Sequence, residues 1–354
     1  MEFLPISDSA LTRAAAVLRD GGLVAFPTET VYGLGGDAFN AGALAKIFAA
    51  KGRPRFDPLI VHISSIETLE KIADLSLLNG SAKKSLGLLA ENLWPGPLTL
   101  ILPKLKTVPD IATSGLPTVA VRFPDHPVAQ KLIALSSGAL AAPSANPFGY
   151  LSPTRAEHVR DQLGDKVDII LDGGPSKLGL ESTVLDICGP LPRILRPGAA
   201  PKEAIEALIG PSQAYSPGLA AVRDNAAGDG ETPAGLVSPG QLKSHYAPRT
   251  PLSVYSLEDL PRENDDDGKA AVLFFDGPSR DAWLVRRQGG GTATLRVLSE
   301  TGDPLAAAAC LFETLHELDR SGFSRIFAQL VPEEGLGEAI NDRLRRAGSI
   351  FKEI

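Results

Sequence analysis

Residues 49–54 read Ala49-Ala50-Lys51-Gly52-Arg53-Pro54. The residue before a proline is pushed out of the helical region, so Arg53 is expected to be extended. Along an extended chain, residues i and i+2 point the same way, which aims Lys51 and Arg53 at one point. A polyphosphate suits such a pair, with arginine as a fork and lysine as a point charge. The plainer reading is two cations that complement a helix C-terminus and face solvent. Both stay open on these residues alone.

The same logic applies to Ala142-Pro143-Ser144-Ala145-Asn146-Pro147. Asn146 precedes a proline, so Ser144 and Asn146 are expected to project to one side at the end of a strand, where α/β sheets bind ligands. A Ser/Asn turn that stabilises only its own backbone is the alternative. Residues Pro27 to Gly35 offer hydroxyls and glycines after a buried strand, or else a simple strand-to-helix connection. His62, Arg122 and Arg196 each sit in an otherwise apolar strand-like run. A buried guanidinium needs a carboxylate or a bound anion, because an unpaired one costs several kcal/mol. Two such arginines, with Lys51 and Arg53, point to an anionic ligand, while His62 alone reads as a satisfied core histidine.

Absent patterns narrow the chemistry. The sequence holds no G-x-x-x-x-G-K-[ST], G-x-S-x-G, H-E-x-x-H or C-x-x-C. The five histidines, at 62, 126, 158, 245 and 316, are scattered and suggest no metal cluster. His126 and His158 are expected at the surface and His316 on a helix. Asp265-Asp266-Asp267 reads as a solvated loop, and Gly289-Gly290-Gly291 as a turn between strands.

The elements that must hold these residues follow from periodicity. A helix is expected over 8–20, capped by Asp8 or Ser9, with Leu11, Ala14, Ala15 and Leu18 on one face. Asn40 caps a second helix to about Ala50, and Thr154 a third near 155–163. Strands are expected at 23–26, 59–63, 98–102, 119–123, 139–142, 167–171, 183–187 and 193–195. Strand–helix alternation mixed with consecutive strands argues for a mixed sheet. Residues 211–245 hold four Pro and five Gly with no Ile or Phe, and read as a linker or a long functional loop. Strands at 271–275, 294–298 and 325–330, a helix whose apolar stripe begins at Leu305, and a last helix over 339–347 make a small α/β domain.

Composition bounds the partners. The 354 residues suggest about two domains. The net charge is −7, and residues 1–200 balance 19 basic against 19 acidic side chains. That excludes a basic nucleic-acid-coating surface and places any anion site in a focused pocket. Two distant cysteines, Cys188 and Cys310, fit a reducing compartment. No signal-peptide pattern or membrane-spanning apolar run is read, so a cytoplasmic protein is expected.

Taken in order, PTETVYGLG at 27–35, KGRP at 51–54, PLIVH at 58–62, WPGPLT at 94–99, VRFP at 121–124, PSAN at 143–146, SPT at 152–154, EST at 181–183 and RPG at 196–198 resemble the YrdC-like family. SPG at 238–240 and HYAP at 245–248, followed by a further α/β domain, resemble its long two-domain form. The resemblance implies a YrdC-like twisted mixed sheet over 1–206, a linker that acts as a lid over 207–248, and a smaller Rossmann-like domain over 249–354. It implies a nucleotidyltransferase that makes threonylcarbamoyl-AMP and pyrophosphate from L-threonine, bicarbonate and ATP, with Mg²⁺ carried by ATP. The product then feeds a tRNA threonylcarbamoyl transfer system, with no membrane and no stable nucleic-acid binding.

By the same resemblance, Lys51, Arg53, Ser144 and Asn146 are the signature tetrad. Arg53, Asp57, Thr118, Ser144, Ser152, Arg196 and Tyr246 fall on ATP positions. Thr30, Tyr32, His62, Arg122, Ala142 and Ser182 fall on the threonine pocket, with Arg122 facing the carboxylate. Departures from the family pattern are Asp57 where Asn is more usual, Ala142 in place of a Thr, Phe148, and Gln241-Leu242-Lys243 in the linker. Two other readings are a related domain that handles carbamoyl phosphate, and an RNA-binding module.

Overall fold

The computed structural model describes residues 1–213, 245–261, 269–286 and 293–348. Most of the proposed linker, Gln241-Leu242-Lys243, Asp265-Asp266-Asp267 and Gly289-Gly290-Gly291 lie outside the described residues. The chain divides into two compact units.

The first unit comprises Met1–Phe148, Pro153–Ser176 and Glu181–Gln241. Its strands are β1 (Glu2–Pro5), β2 (Val24–Phe26), β3 (Gly33–Asp37), β4 (Ile60–Ile63), β5 (Leu98–Pro103), β6 (Thr118–Arg122), β7 (Ala139–Ala141), β8 (Ile169–Asp172), β9 (Thr183–Asp186) and β10 (Arg193–Arg196). They form one sheet in the order β1-β8-β2-β3-β7-β4-β6-β5-β9-β10. Parallel pairs such as β4/β6 and β5/β9 alternate with antiparallel ones such as β4/β7 and β5/β6, so the mixed sheet is borne out.

The helices are α1 (Asp8–Arg19), α2 (Ala41–Lys51), α3 (Gly80–Leu93), α4 (Asp110–Thr113), α5 (Pro127–Leu135), α6 (Ala156–Leu163) and α7 (Lys202–Ile209). Ala10, Leu11, Ala14, Ala15 and Leu18 of α1 pack with Ala129, Leu132 and Ile133 of α5 on one face of the sheet. Leu44, Ile47 and Phe48 of α2 join a larger core with Leu59, Val61 and Leu100. Burying each of these leucine, isoleucine, valine or phenylalanine side chains stabilises by about 1.5–3 kcal/mol.

Local details correct several expectations. Ser7, not Asp8 or Ser9, caps α1, its hydroxyl accepting from the Ala10 N–H at 3.1 Å. Thr154 does not cap α6; the N-cap is Arg155, with no side-chain bond. The glycines of 33–37 form strand β3 rather than a connection. A Cβ on Gly35 would sit 2.7 Å from the Phe26 ring, so glycine lets this strand run close over β2. Leu305 is exposed rather than inside its helix's stripe.

The second unit comprises Gly149–Ser152, Lys177–Leu180 and Leu242–Ile354. Its four strands, β11 (Leu252–Tyr255), β12 (Ala270–Asp276), β13 (Thr294–Ser299) and β14 (Arg325–Gln329), run parallel in the order β11-β14-β12-β13. Helices α8 (Gly277–Arg286) and α9 (Pro304–Arg320) make the crossovers, and α10 (Gly337–Ala347) is the last helix among the described residues. The two early segments are tied to this unit. Tyr150 donates its hydroxyl proton to Asp319. His316 Nε2 lies 3.1 Å from the Ser152 carbonyl, and the Ala247 N–H donates to Gly149 O at 2.9 Å. Gly179 has φ +69°, and a Cβ there would lie 2.5 Å from the Ala308 carbonyl. No helix among the described residues is long and apolar enough to cross a membrane.

Candidate active site

Lys51 is the last residue of α2, and Gly52 caps the helix in the left-handed region at φ 62°. The Arg53 N–H returns to the Phe48 carbonyl at 3.0 Å. The two cations therefore converge through a helix C-cap, not through an extended run as the sequence suggested. Lys51 Nζ donates to the carbonyls of both Ser144 and Asn146, and the Phe148 N–H donates to Lys51 O at 2.8 Å. The polar segment, through residues 93 and 95 positions further on, is thereby stitched to α2. Burial and the neighbouring Arg53 hold the Lys51 amine well below its usual range, with Asp57 and Glu181 opposing.

Arg53 donates through Nε to Asp57 O at 3.0 Å and through Nη2 to Pro58 O at 2.8 Å. Its Nη2 also lies 2.9 Å from the Asp57 Oδ1 carboxylate oxygen. Asp57 is fully buried, and neither carboxylate oxygen makes an aligned hydrogen bond, so this pairing is charge against charge. Burial raises the Asp57 pKa, while Arg53, Lys51 and Arg196 pull it down. Arg196, at the end of β10, donates from Nη2 to the Ser182 carbonyl at 2.7 Å. A Cβ on Gly198 would fall 2.4 Å from backbone atoms of Glu181, Ser182 and Thr183, so glycine is needed for this close approach. Thr118 opens β6 and is buried.

A second polar row crosses the sheet. His62 on β4 is in register with Arg122 on β6, and Arg122 with Thr99 on β5. Thr99 Oγ1 is 2.7 Å from Ser182 Oγ. Ser182 therefore touches both groups, accepting from Arg196 on one side and meeting Thr99 on the other. Arg122 donates from Nη2 to Glu29 Oε1 at 2.5 Å and from Nε to Gly96 O at 3.3 Å. Burial and the adjacent Arg122 push the His62 pKa down to about 3, so the ring is neutral at working pH.

Other candidates take different duties. Thr30 Oγ1 is 2.8 Å from Thr28 Oγ1. Tyr32 donates its hydroxyl proton to Gly174 O at 2.7 Å and accepts from the Gly173 N–H at 3.2 Å, and burial pushes its pKa up. The Ala142 N–H is engaged by the Ile60 carbonyl at 2.9 Å. Ser152 and Tyr246 lie in the second unit. There Tyr246 is buried at φ 61°, with the Arg343 guanidinium 4.9 Å from its ring centroid and Phe312 at 5.7 Å. His158, expected at the surface, is buried, its Nδ1 3.3 Å from the Thr154 N–H.

The sequence reading missed Glu29. The signal was present, since a buried Arg122 required a carboxylate or an anion. Nothing in the residue pattern said that the carboxylate stood 93 positions earlier, in the segment noted only for hydroxyls and glycines. Among the described residues, no group of three or more His, Cys, Asp or Glu is placed to hold a metal ion.

An α/β sheet carrying buried cations beside a neutral histidine and a paired arginine defines a class of small-molecule enzyme, and the chain belongs to the Sua5/YciO/YrdC family. The profile of that family, described as "Telomere recombination", matches residues 16–198. A second, "Threonylcarbamoyl-AMP synthase, C-terminal domain", matches 201–349. Along its length the chain is similar to threonylcarbamoyl-AMP synthases. That of Pyrococcus abyssi is 41% identical, covering 94% of this chain and 92% of the relative. That of Bacillus subtilis is 40% identical, covering 97% and 94%. The crystal structure of P. abyssi Sua5 complexed with L-threonine superposes with a TM-score of 0.82 at 38% identity, covering 98% of this chain and 97% of that one.

Proposed function

We propose that the chain converts L-threonine, bicarbonate and ATP to threonylcarbamoyl-AMP and pyrophosphate, the activated donor for threonylcarbamoyladenosine in tRNA. The observation that carries this reading is Ser182, which joins the Lys51/Arg53/Arg196 cluster to the His62/Arg122 row. A triphosphate and a small hydroxy amino acid held on the two sides of one serine are adjacent substrates.

Threonine and bicarbonate combine to a carbamate, and a carbamate oxygen attacks the α-phosphorus as pyrophosphate leaves. This needs positioning and charge stabilisation rather than a side-chain nucleophile. Arg53 and Arg196 supply fixed positive charge, and Lys51 gains its charge as the triphosphate binds, where negative charge accumulates on the departing pyrophosphate. Arg122 faces the threonine carboxylate, and neutral His62 adds no competing charge. Asp57 is the feature that ATP must disturb, because its carboxylate occupies Arg53. Mg²⁺ enters with ATP as part of the substrate. The enzyme is cytoplasmic, hands its product to a tRNA threonylcarbamoyl transfer system, and binds neither membrane nor nucleic acid stably.

The test is pyrophosphate release by the full-length protein with ATP. Release that needs both threonine and bicarbonate supports the reading; release indifferent to either one rejects it.

A further inference from the structure

Arg122 and Glu29 meet through one oxygen only. Glu29 Oε1 accepts from Arg122 Nη2, whereas Oε2 is buried and has no hydrogen-bond partner. The Glu29 side chain is 6% exposed, so water does not replace that partner at large. A carboxylate that only neutralises an arginine commonly engages the guanidinium fork through both oxygens. A buried acceptor left open calls for an explanation, and a bound donor is the simplest one. Nη1 of Arg122 likewise makes no hydrogen bond among the described residues. The contacting pair thus leaves one guanidinium nitrogen and one carboxylate oxygen open. An α-amino acid carries the complementary groups side by side, a carboxylate and an ammonium.

We propose that Glu29 touches the substrate as its base: Oε2 receives the α-ammonium of threonine and takes a proton from it as the nitrogen is carboxylated. This rests on the reaction proposed above and deepens it. The ammonium gives one proton to Oε2, and the freed lone pair forms the N–C bond to the bicarbonate carbon. The C–OH bond breaks, and its hydroxide leaves as water with the second nitrogen proton. The third proton stays on the carbamate nitrogen.

The charged and titratable groups around Glu29 are Arg122 from β6, His62 beside it on β4, and His126 with Asp125 at the start of α5. His62 is held neutral, and burial lowers the His126 pKa against the pull of Glu29 and Asp125. Glu29 is therefore the acidic side chain that the ammonium meets next to Arg122.

The experiment follows pyrophosphate release by full-length Glu29→Gln between pH 6.5 and 9.5, at saturating ATP and bicarbonate, with the melting midpoint measured alongside. Glutamine keeps an acceptor for Arg122 but cannot take the proton. A positioned base is worth about 10²–10⁴-fold. The expected result is a loss of about 100-fold in kcat/KM for threonine at pH 7, shrinking as pH rises and solution supplies the free amine. A loss equal at every pH, or none at pH 7, overturns the proposal. If Glu29→Gln fails to fold, Glu29→Asp is read instead: its carboxylate is drawn back by one methylene, and the same narrowing with pH is expected, a flat loss again overturning the proposal. An unmodified protein that releases no threonine- and bicarbonate-dependent pyrophosphate rejects the reaction itself, a failure distinct from that of Glu29.

Discussion

Lys51 and Asp57 are both held away from their ordinary ionisation by burial, the amine downwards and the carboxyl upwards. A triphosphate stabilises the charged lysine and opposes the charged aspartate. Both effects favour bound protons, so ATP binding is expected to take up protons. Calorimetric titrations at pH 7.5 in buffers of different ionisation enthalpy measure this, and net release would contradict the assignment. Lys51→Met should reduce the uptake and lower pyrophosphate release by at least about tenfold, the scale of one lost charge-assisted contact. His62 makes a separate prediction. Its pKa is about 3 in the folded protein against 6.5 ordinarily, so at pH 5 the unfolded chain binds a proton that the folded chain does not. Stability tied to this group is present above 6.5 and is lost as pH falls towards 3. Between pH 7 and pH 5 that is about 2 kcal/mol, and denaturant titrations of His62→Gln should show the fall shrink by that much. At this scale the residue types were legible: the lone cations in apolar runs, Arg122 and Arg196, are buried as their surroundings suggested. The pairings were not, because Glu29 and Arg122 meet only through the tertiary fold.

Most elements were legible where periodicity is strong, as in α1, α2 and β5. Strand β3 was not, because four of its residues are Gly33, Leu34, Gly35 and Gly36 and glycine carries no alternation. Helix α5 was also missed, although Pro127 at its first turn is a start signal. The convergence of Lys51 and Arg53 was foreseen for the wrong local reason, since Gly52 in the left-handed region turns the chain, not Pro54. Gly198 shows how element packing reaches the site. A methyl group there meets rigid backbone at 2.4 Å, so Gly198→Ala should separate β9 from the strand end that carries Arg196. The expected cost is on the order of 1–3 kcal/mol in urea titrations, with a raised KM for ATP. Unchanged stability would show that the backbone yields more easily than its packing indicates.

The second unit takes in residues 149–152 and 177–180, and no composition shift announces either segment. A fragment cut at 249 would leave buried His316 without the Ser152 carbonyl and Asp319 without the Tyr150 hydroxyl. Each lost hydrogen bond costs about 0.5–1.5 kcal/mol. Fragment 249–354 should therefore melt well below the full-length chain or lack a cooperative transition, and an equal melting midpoint would contradict this. The acidic excess of the chain lies beyond residue 200, while the first 200 residues are neutral overall. Within that neutral part, Asp57 sits among Lys51, Arg53 and Arg196 as a resident counter-ion. A resident counter-ion of this kind offsets part of the cluster's positive charge before any guest arrives. A singly charged anion competes with that internal carboxyl for Arg53, whereas a guest bearing several charges at once outcompetes it, so the counter-ion tilts the cluster toward polyanions.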